Sequence, residues 1–229
     1  MVPLEFGAVT PGVMPMYSTP AWAVPSVVFT SYVTGPLSEG PNGSLTWKVK
    51  GVRVVGSVPS KPWRLLITTF GTGATEAESY PAQLENLIGR RVVRAGVPGE
   101  VTAQALERLP GALDEYAPRL LLLCIGGNDF LRRAGNAQAE RNVREMVRLA
   151  KSRGINVLLI GTPEPALLPS PPGFYAAVAK EYGVPYEDAV ITEVLKDASL
   201  KSDPIHPNAR GYRVIAERLA ALLKKTGAI

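Results

Sequence analysis

"RLLLLCIGGNDFL", residues 119–131, carries the most apolar run of the chain and ends it in two glycines, an asparagine and an aspartate. Four leucines, a cysteine and an isoleucine follow one another with no polar residue at alternate positions. That pattern reads as a strand buried on both faces. Such strands belong to parallel sheets covered by helices, which carry their functional groups on the loops after the strands' carboxyl ends. Outward from this stretch the pattern repeats. "RLLITTF" (64–70) and "RVVRAG" (91–96) read as short buried strands, and "INVLLIG" (155–161) as a longer one. Helical periodicity fills the intervals near 79–89, 101–116 and 137–153. A last helix is expected from Pro207, with Tyr212, Ile215, Ala216, Leu219, Leu222 and Leu223 on one face. Strands alternating with helices in this way predict an α/β domain built on a parallel sheet.

The chain has 229 residues, 46% of them hydrophobic and 20% charged, enough for one well-buried domain and a short appendage. The composition predicts a soluble globular protein. Of the net charge of +5, residues 1–64 supply +3 and the longer remainder only +2, with no lysine block or arginine-aromatic interleaving, so no nucleic-acid partner is expected. The single cysteine, Cys124, excludes an intramolecular disulfide and a cysteine-rich metal site, and it reads as a small core residue. No metal and no cofactor are expected. No run of 18 apolar residues exists, and the start lacks a basic stretch followed by an apolar one. The expectation is a cytoplasmic protein with no membrane anchor.

Residues 1–64 form a part of their own, with nine of the 21 prolines, all three tryptophans and three of the four methionines. Possible strands are "SVVFTSYV" (26–33) and "SLTWKVKGVRVVGSV" (44–58), the second after the turn-like "GPNGS" (40–44). A small β-rich appendage and an irregular extension are both compatible with this composition. The domain proper is expected over 65–229.

Three loops carry candidate chemistry. "KSDPIHPNARGY" (201–212) holds His206, the only histidine, with Asp203 three residues before it and prolines at 204 and 207 restraining the backbone. A lone histidine is most often a surface or satisfied residue. At a loop-to-helix junction beside a carboxylate, however, one imidazole nitrogen is held and the other is free to act as general base. In "IGGNDFL" (125–131) the glycines permit close approach of a ligand, and Asn128 offers an amide donor of the kind that stabilises an oxyanion. Its plainer reading is that Asn128 and Asp129 cap a helical turn. In "RAGVPGEVT" (94–102), Gly99 can lend a backbone N–H to the same oxyanion, or simply make a strand-to-helix turn.

In this order the elements resemble the SGNH (GDSL-type) hydrolases, specifically the arylesterase and lysophospholipase-like thioesterase branch. The resemblance covers about residues 69–229, through "TFGTGATEAESYPAQLENLIG", "AGVPGEVT", "LLCIGGNDFLRR" and "DPIHPNARGY". It implies a flavodoxin-like three-layer α/β/α fold and hydrolysis of small carboxylic ester or thioester substrates. By position, Asp203 and His206 match the family's orienting carboxylate and base, and Gly99 and Asn128 its oxyanion hole.

The family's first block, a strand and then Gly-Asp-Ser, is where the chain departs. Thr69-Phe70-Gly71 match the block's end, which leaves Leu65, Leu66 and Ile67 where Gly-Asp-Ser belongs. No nucleophile is present there, and Ser79 lies beyond the block as the expected N-cap of a helix. Two explanations stand side by side: a relative that lost its serine, or an N-terminal segment produced by a shifted reading frame or deliberate alteration. The codons TGG-CGA-CTC, one coding of Trp63-Arg64-Leu65, contain GGC-GAC-TC one base later, the start of Gly-Asp-Ser, although a one-base correction leaves two residues too many before Thr69. Two other functions compete with an impaired esterase. One is non-enzymatic binding of a small acyl or carboxylate ligand in the retained pocket. The other, nucleotide binding through "GTGATE" (71–76), lacks its third glycine, Glu76 standing there.

Overall fold

The apolar run becomes β5 (Leu120–Cys124), the central strand of a five-stranded parallel sheet. The computed structural model describes residues 63–229 and, upstream, a short antiparallel pair, β1 (Ser38–Glu39) and β2 (Leu45–Thr46). The chain divides into two units, Met1–Ser57 and Val58–Ile229. Strands expected over 26–33 and 44–58 lie outside the described residues, except that Leu45–Thr46 pairs with Ser38–Glu39 across residues 40–44.

In the larger unit the other strands are β3 (Arg64–Ile67), β4 (Arg91–Arg94), β6 (Asn156–Ile160) and β7 (Tyr186–Glu187). Their order, β4-β3-β5-β6-β7, is the doubly wound, flavodoxin-like arrangement. Parallel neighbours need crossovers. Here α1 (Tyr80–Ile88), α2 (Thr102–Tyr116), α4 (Asn136–Ser152) and α5 (Phe174–Tyr182) provide them.

Strict alternation of side chains splits the sheet between two cores. Leu66, Leu121, Leu123, Val157 and Leu159 face α2, α4 and α5. Leu65, Ile67, Leu120, Leu122 and Leu158 face α1, α6 (Val190–Lys196) and α7 (Ala209–Lys225). Both faces are covered, so the layers are α/β/α, and each fully buried leucine stabilises the fold by about 1.5–3 kcal/mol.

Three elements depart from the sequence-based expectation. Helix α7 starts at Ala209 and not at Pro207, because Pro207 pairs with Lys201 and Asn208 caps the helix, accepting from the Gly211 N–H at 3.0 Å. Ser79 does occupy the N-cap position of α1, yet its hydroxyl turns back to donate to the Glu76 carbonyl at 2.7 Å. The one-turn helix α3 (Gly127–Leu131), together with α5, α6 and β7, has no counterpart in the expected elements.

Candidate active site

Asp203 and His206 are joined: Asp203 Oδ2 lies 2.7 Å from His206 Nδ1. The other carboxylate oxygen accepts the backbone N–H groups of Ile205 and His206, each at 2.9 Å. The turn therefore folds around the carboxylate, and the i, i+3 spacing brings the imidazole back over it. The His206 bond, aided by the Ile205 N–H, lowers the Asp203 pKa from its ordinary value. An ionised partner assigns the proton to Nδ1 and leaves Nε2 as the free, basic nitrogen. Both side chains are partly exposed.

The loop after β3 leans on this turn. Gly73 has φ +102°, and a Cβ on it would meet the Ser202 hydroxyl, come 2.5 Å from the Pro207 carbonyl oxygen and 3.0 Å from His206 Cβ. Only glycine fits there. Tyr212, on α7, donates its hydroxyl to the Thr72 carbonyl at 2.6 Å and so fastens the same loop from below. Tyr80 donates to Thr69 Oγ1 at 2.7 Å. Burial drives both phenol pKa values upward, keeping both hydroxyls protonated as donors.

Gly99 and Asn128 follow neighbouring loops at the carboxyl end of the sheet, and their partners interlock. Asn128 donates one amide N–H to the Glu100 carbonyl at 2.9 Å, which leaves its second N–H available. Arg132 donates to the Gly99 carbonyl at 2.9 Å. Glu100 is buried and takes both nitrogens of an Arg108 fork at 2.9 Å. That bond raises the Arg108 pKa, keeping the guanidinium charged. Beneath them, buried Asp129 accepts the Thr102 N–H at 2.8 Å and the Thr102 hydroxyl at 2.6 Å, while Asn142 donates to the same hydroxyl at 2.9 Å. Asp129 does cap the start of a helix, but that helix is α2 and not its own.

The three positions expected from the sequence to stand opposite the family's nucleophile block are sheet interior. Leu65, Leu66 and Ile67 pair with β4 on one side and β5 on the other, and each is 0% exposed. Beyond them the first hydroxyls are engaged: Thr68 Oγ1 donates to the Cys124 carbonyl at 3.0 Å and accepts the Cys124 N–H at 2.9 Å. Gly96 packs directly on the Thr69–Phe70 peptide, where a Cβ would overlap backbone atoms. Burial pushes the Cys124 thiol up, away from the thiolate form that attacks carbonyls.

Contacts therefore run from the 201–207 turn to the 71–73 loop, from the 68–70 segment to Gly96, and from the 99–102 turn to Asn128 and Asp129. Sequence reasoning missed Thr102, Arg108, Asn142, Tyr80, Tyr175 and Tyr212 as supports of these loops. Tyr175, for example, donates to the Ile125 carbonyl at 2.5 Å from fifty residues away. No local spacing signals such a partner.

Known proteins are similar to this chain in sequence and fold. The thioesterase 1/protease 1/lysophospholipase L1 of Escherichia coli (strain K12) is 33% identical over 139 residues, 58% of this chain and 67% of that protein. The crystal structure of TesA superposes with a TM-score of 0.61 at 26% identity, covering 71% of this chain and 98% of that one. AlinE4, an SGNH-hydrolase family esterase, superposes at 0.54 with 29% identity, covering 73% and 95%. The family profile spans residues 67–214, from the last residue of β3 into α7, and takes in all four of the loops just described. On that match the chain belongs to the GDSL-like lipase/acylhydrolase family.

Proposed function

We propose that this chain is an SGNH-type hydrolase scaffold for carboxylic ester or thioester acyl groups whose nucleophile is absent, so that its own turnover is strongly impaired. In this reading His206 Nε2 is the general base, Asp203 holds its tautomer, and the Gly99 N–H and the Asn128 amide stabilise the oxyanion. The observation that carries it is the 2.7 Å Asp203–His206 contact inside a region matched to the family. A hydroxyl nucleophile would pass its proton to Nε2 as its oxygen attacks the acyl carbon, and the leaving group would later take that proton. Ile67 offers no such hydroxyl. Removing the nucleophile from a triad leaves about 10³ to 10⁴-fold over water, far below the full enzyme.

The test is to replace residues 1–68 with a family-like strand ending in Gly-Asp-Ser and one spacer residue. The replaced chain is expected to hydrolyse p-nitrophenyl esters, His206→Ala to abolish that activity, and the unmodified chain to stay near background. Robust turnover by the unmodified chain that survives His206→Ala overturns the assignment. A second reading is favoured by the persistence of the donors without the nucleophile: the pocket binds a small acyl or carboxylate ligand, and Asn128→Ala weakens it.

A further inference from the structure

Large apolar side chains left exposed among the described residues all occur at one end of the domain. Phe70 follows β3, Val97 follows β4, Leu131 ends the turn of helix after β5, Leu167 and Leu168 follow β6, and Ile205 precedes His206. These are the loops at the carboxyl ends of the strands and the turn that packs on them. Leu167 and Leu168 are the extreme case, 98% and 79% exposed as neighbours in a proline-rich loop. Adjacent leucines so exposed call for a partner, because scattered single apolar residues are normal but clustered ones are not.

We propose that this end of the molecule docks on the surface of an anionic lipid bilayer, with Leu167 and Leu168 entering the acyl boundary. Charge favours that occupant. Arg132 and Arg133 adjoin exposed Leu131, and neither forms an ion pair among the described residues. Arg132 spends one N–H on the Gly99 carbonyl and keeps four. Of the acidic groups at the same end, Glu76 is paired with Arg94, and Asp203 and Glu164 are hydrogen-bonded to His206 and Asn136, while Asp188, after β7, is exposed. An apolar tip flanked by free cations suits an anionic interface. A single bound acyl chain fits less well, since the cavities of 480 and 370 Å³ beside β4 are lined by Val97 but by none of the other five residues. A second copy of this chain meeting the same face would set the two arginine pairs against like charge.

The full chain is sedimented with vesicles of phosphatidylcholine alone and of phosphatidylcholine mixed with phosphatidylglycerol. It should partition onto the mixed vesicles. Leu167→Ser with Leu168→Ser should lower that partition roughly tenfold or more, with the far-ultraviolet circular dichroism unchanged. Arg132→Gln with Arg133→Gln should cut the preference for phosphatidylglycerol by roughly fivefold per arginine. No vesicle binding, or binding indifferent to the leucine substitutions, overturns the proposal. So does a self-association that the same substitutions abolish, which assigns the face to a second copy. The experiment reads no turnover, so its failure leaves the hydrolase reading standing.

Discussion

Tyr212 donates its hydroxyl to the carbonyl of Thr72 at 2.6 Å, across 140 residues of sequence, and thereby ties α7 to the loop that cradles His206. The same ring packs against Tyr80, with centroids 6.0 Å apart. Tyr212→Phe keeps that packing and loses only the bond, so a destabilisation of about 1 kcal/mol is expected in urea unfolding. Tyr212→Ala, which also empties the core beside α1, should cost about 3–5 kcal/mol. A Tyr212→Phe variant as stable as the unmodified chain would deny the hydroxyl any part in holding the loop.

His206 is the only histidine, so its ring signals need no assignment experiment. Nitrogen chemical shifts should report the Nδ1–H tautomer in the unmodified chain and a tautomer mixture in Asp203→Ala. The Asp203 carboxyl has a lowered folded pKa. Its contribution to stability is therefore full above the unfolded value of about 3.9 and fades as pH falls through the lower folded value. Asp203→Asn should flatten the acid limb of a stability-against-pH curve. An unchanged tautomer in Asp203→Ala would mean that the carboxylate does not orient the ring.

Asp129 holds two donors of Thr102 in a buried site, whereas Asn128 next to it holds one carbonyl in a half-buried one. Asp129→Ala strands both donors and is expected to cost roughly 3 kcal/mol, against about 1 kcal/mol for Asn128→Ala. Chemical denaturation of the two variants separates a structural carboxylate from a ligand-facing amide. Asn128→Ala as the more destabilising change would reverse those roles.

Burial raises the Tyr186 phenol to about 12, and the neighbouring Asp188 and Glu187 charges push the same way. The folded state keeps this proton after the unfolded chain, titrating near 10, has released it. Stability from this group is thus intact below about pH 10 and declines as pH rises toward 12. Tyr186→Phe should remove that part of the alkaline decline, read from thermal melts at stepped pH. A melt that falls as steeply without the phenol assigns the alkaline limb to other groups.

Ile67→Ser alone should not create an esterase. Its position is sheet interior, so the change costs about 4 kcal/mol through lost volume and a buried hydroxyl. Replacement of the whole block differs because the new segment brings its own strand, relieving 65–67 of the need to fill the sheet. Ester hydrolysis by the single variant, lost on His206→Ala, would show that Ile67 reaches the cleft.

The strands from 64 to 160 and helices α1, α2, α4 and α7 were legible in the sequence because each repeats one apolar period over several residues. β7 has two residues, too few for any period, and α5 follows a Pro-Pro-Gly run that masks its start. Pro207 looked like a helix start because proline suits a first turn, but Asn208 supplies the better cap. The Asp203–His206 contact was legible since both partners share one turn. Thr102 with Asp129, and Tyr175 with Ile125, depend on folds of the chain that bring distant segments together, which local spacing does not encode.

Strand β3 puts Leu66 in one core and Leu65 and Ile67 in the other, yet all three are apolar and similar in bulk. Sliding the strand by one residue would exchange the two faces and draw Arg64 or Thr68 into a fully buried position, so the polar residues at its two ends fix where this strand sits. At one end Arg64 donates to the Tyr116 carbonyl at 3.1 Å, and at the other the Thr68 hydroxyl both gives to and takes from the Cys124 backbone. Thr68 acts as a positional latch at the carboxyl end of β3, and a valine there would take away both of its bonds to the neighbouring strand while leaving the apolar filling of the sheet intact.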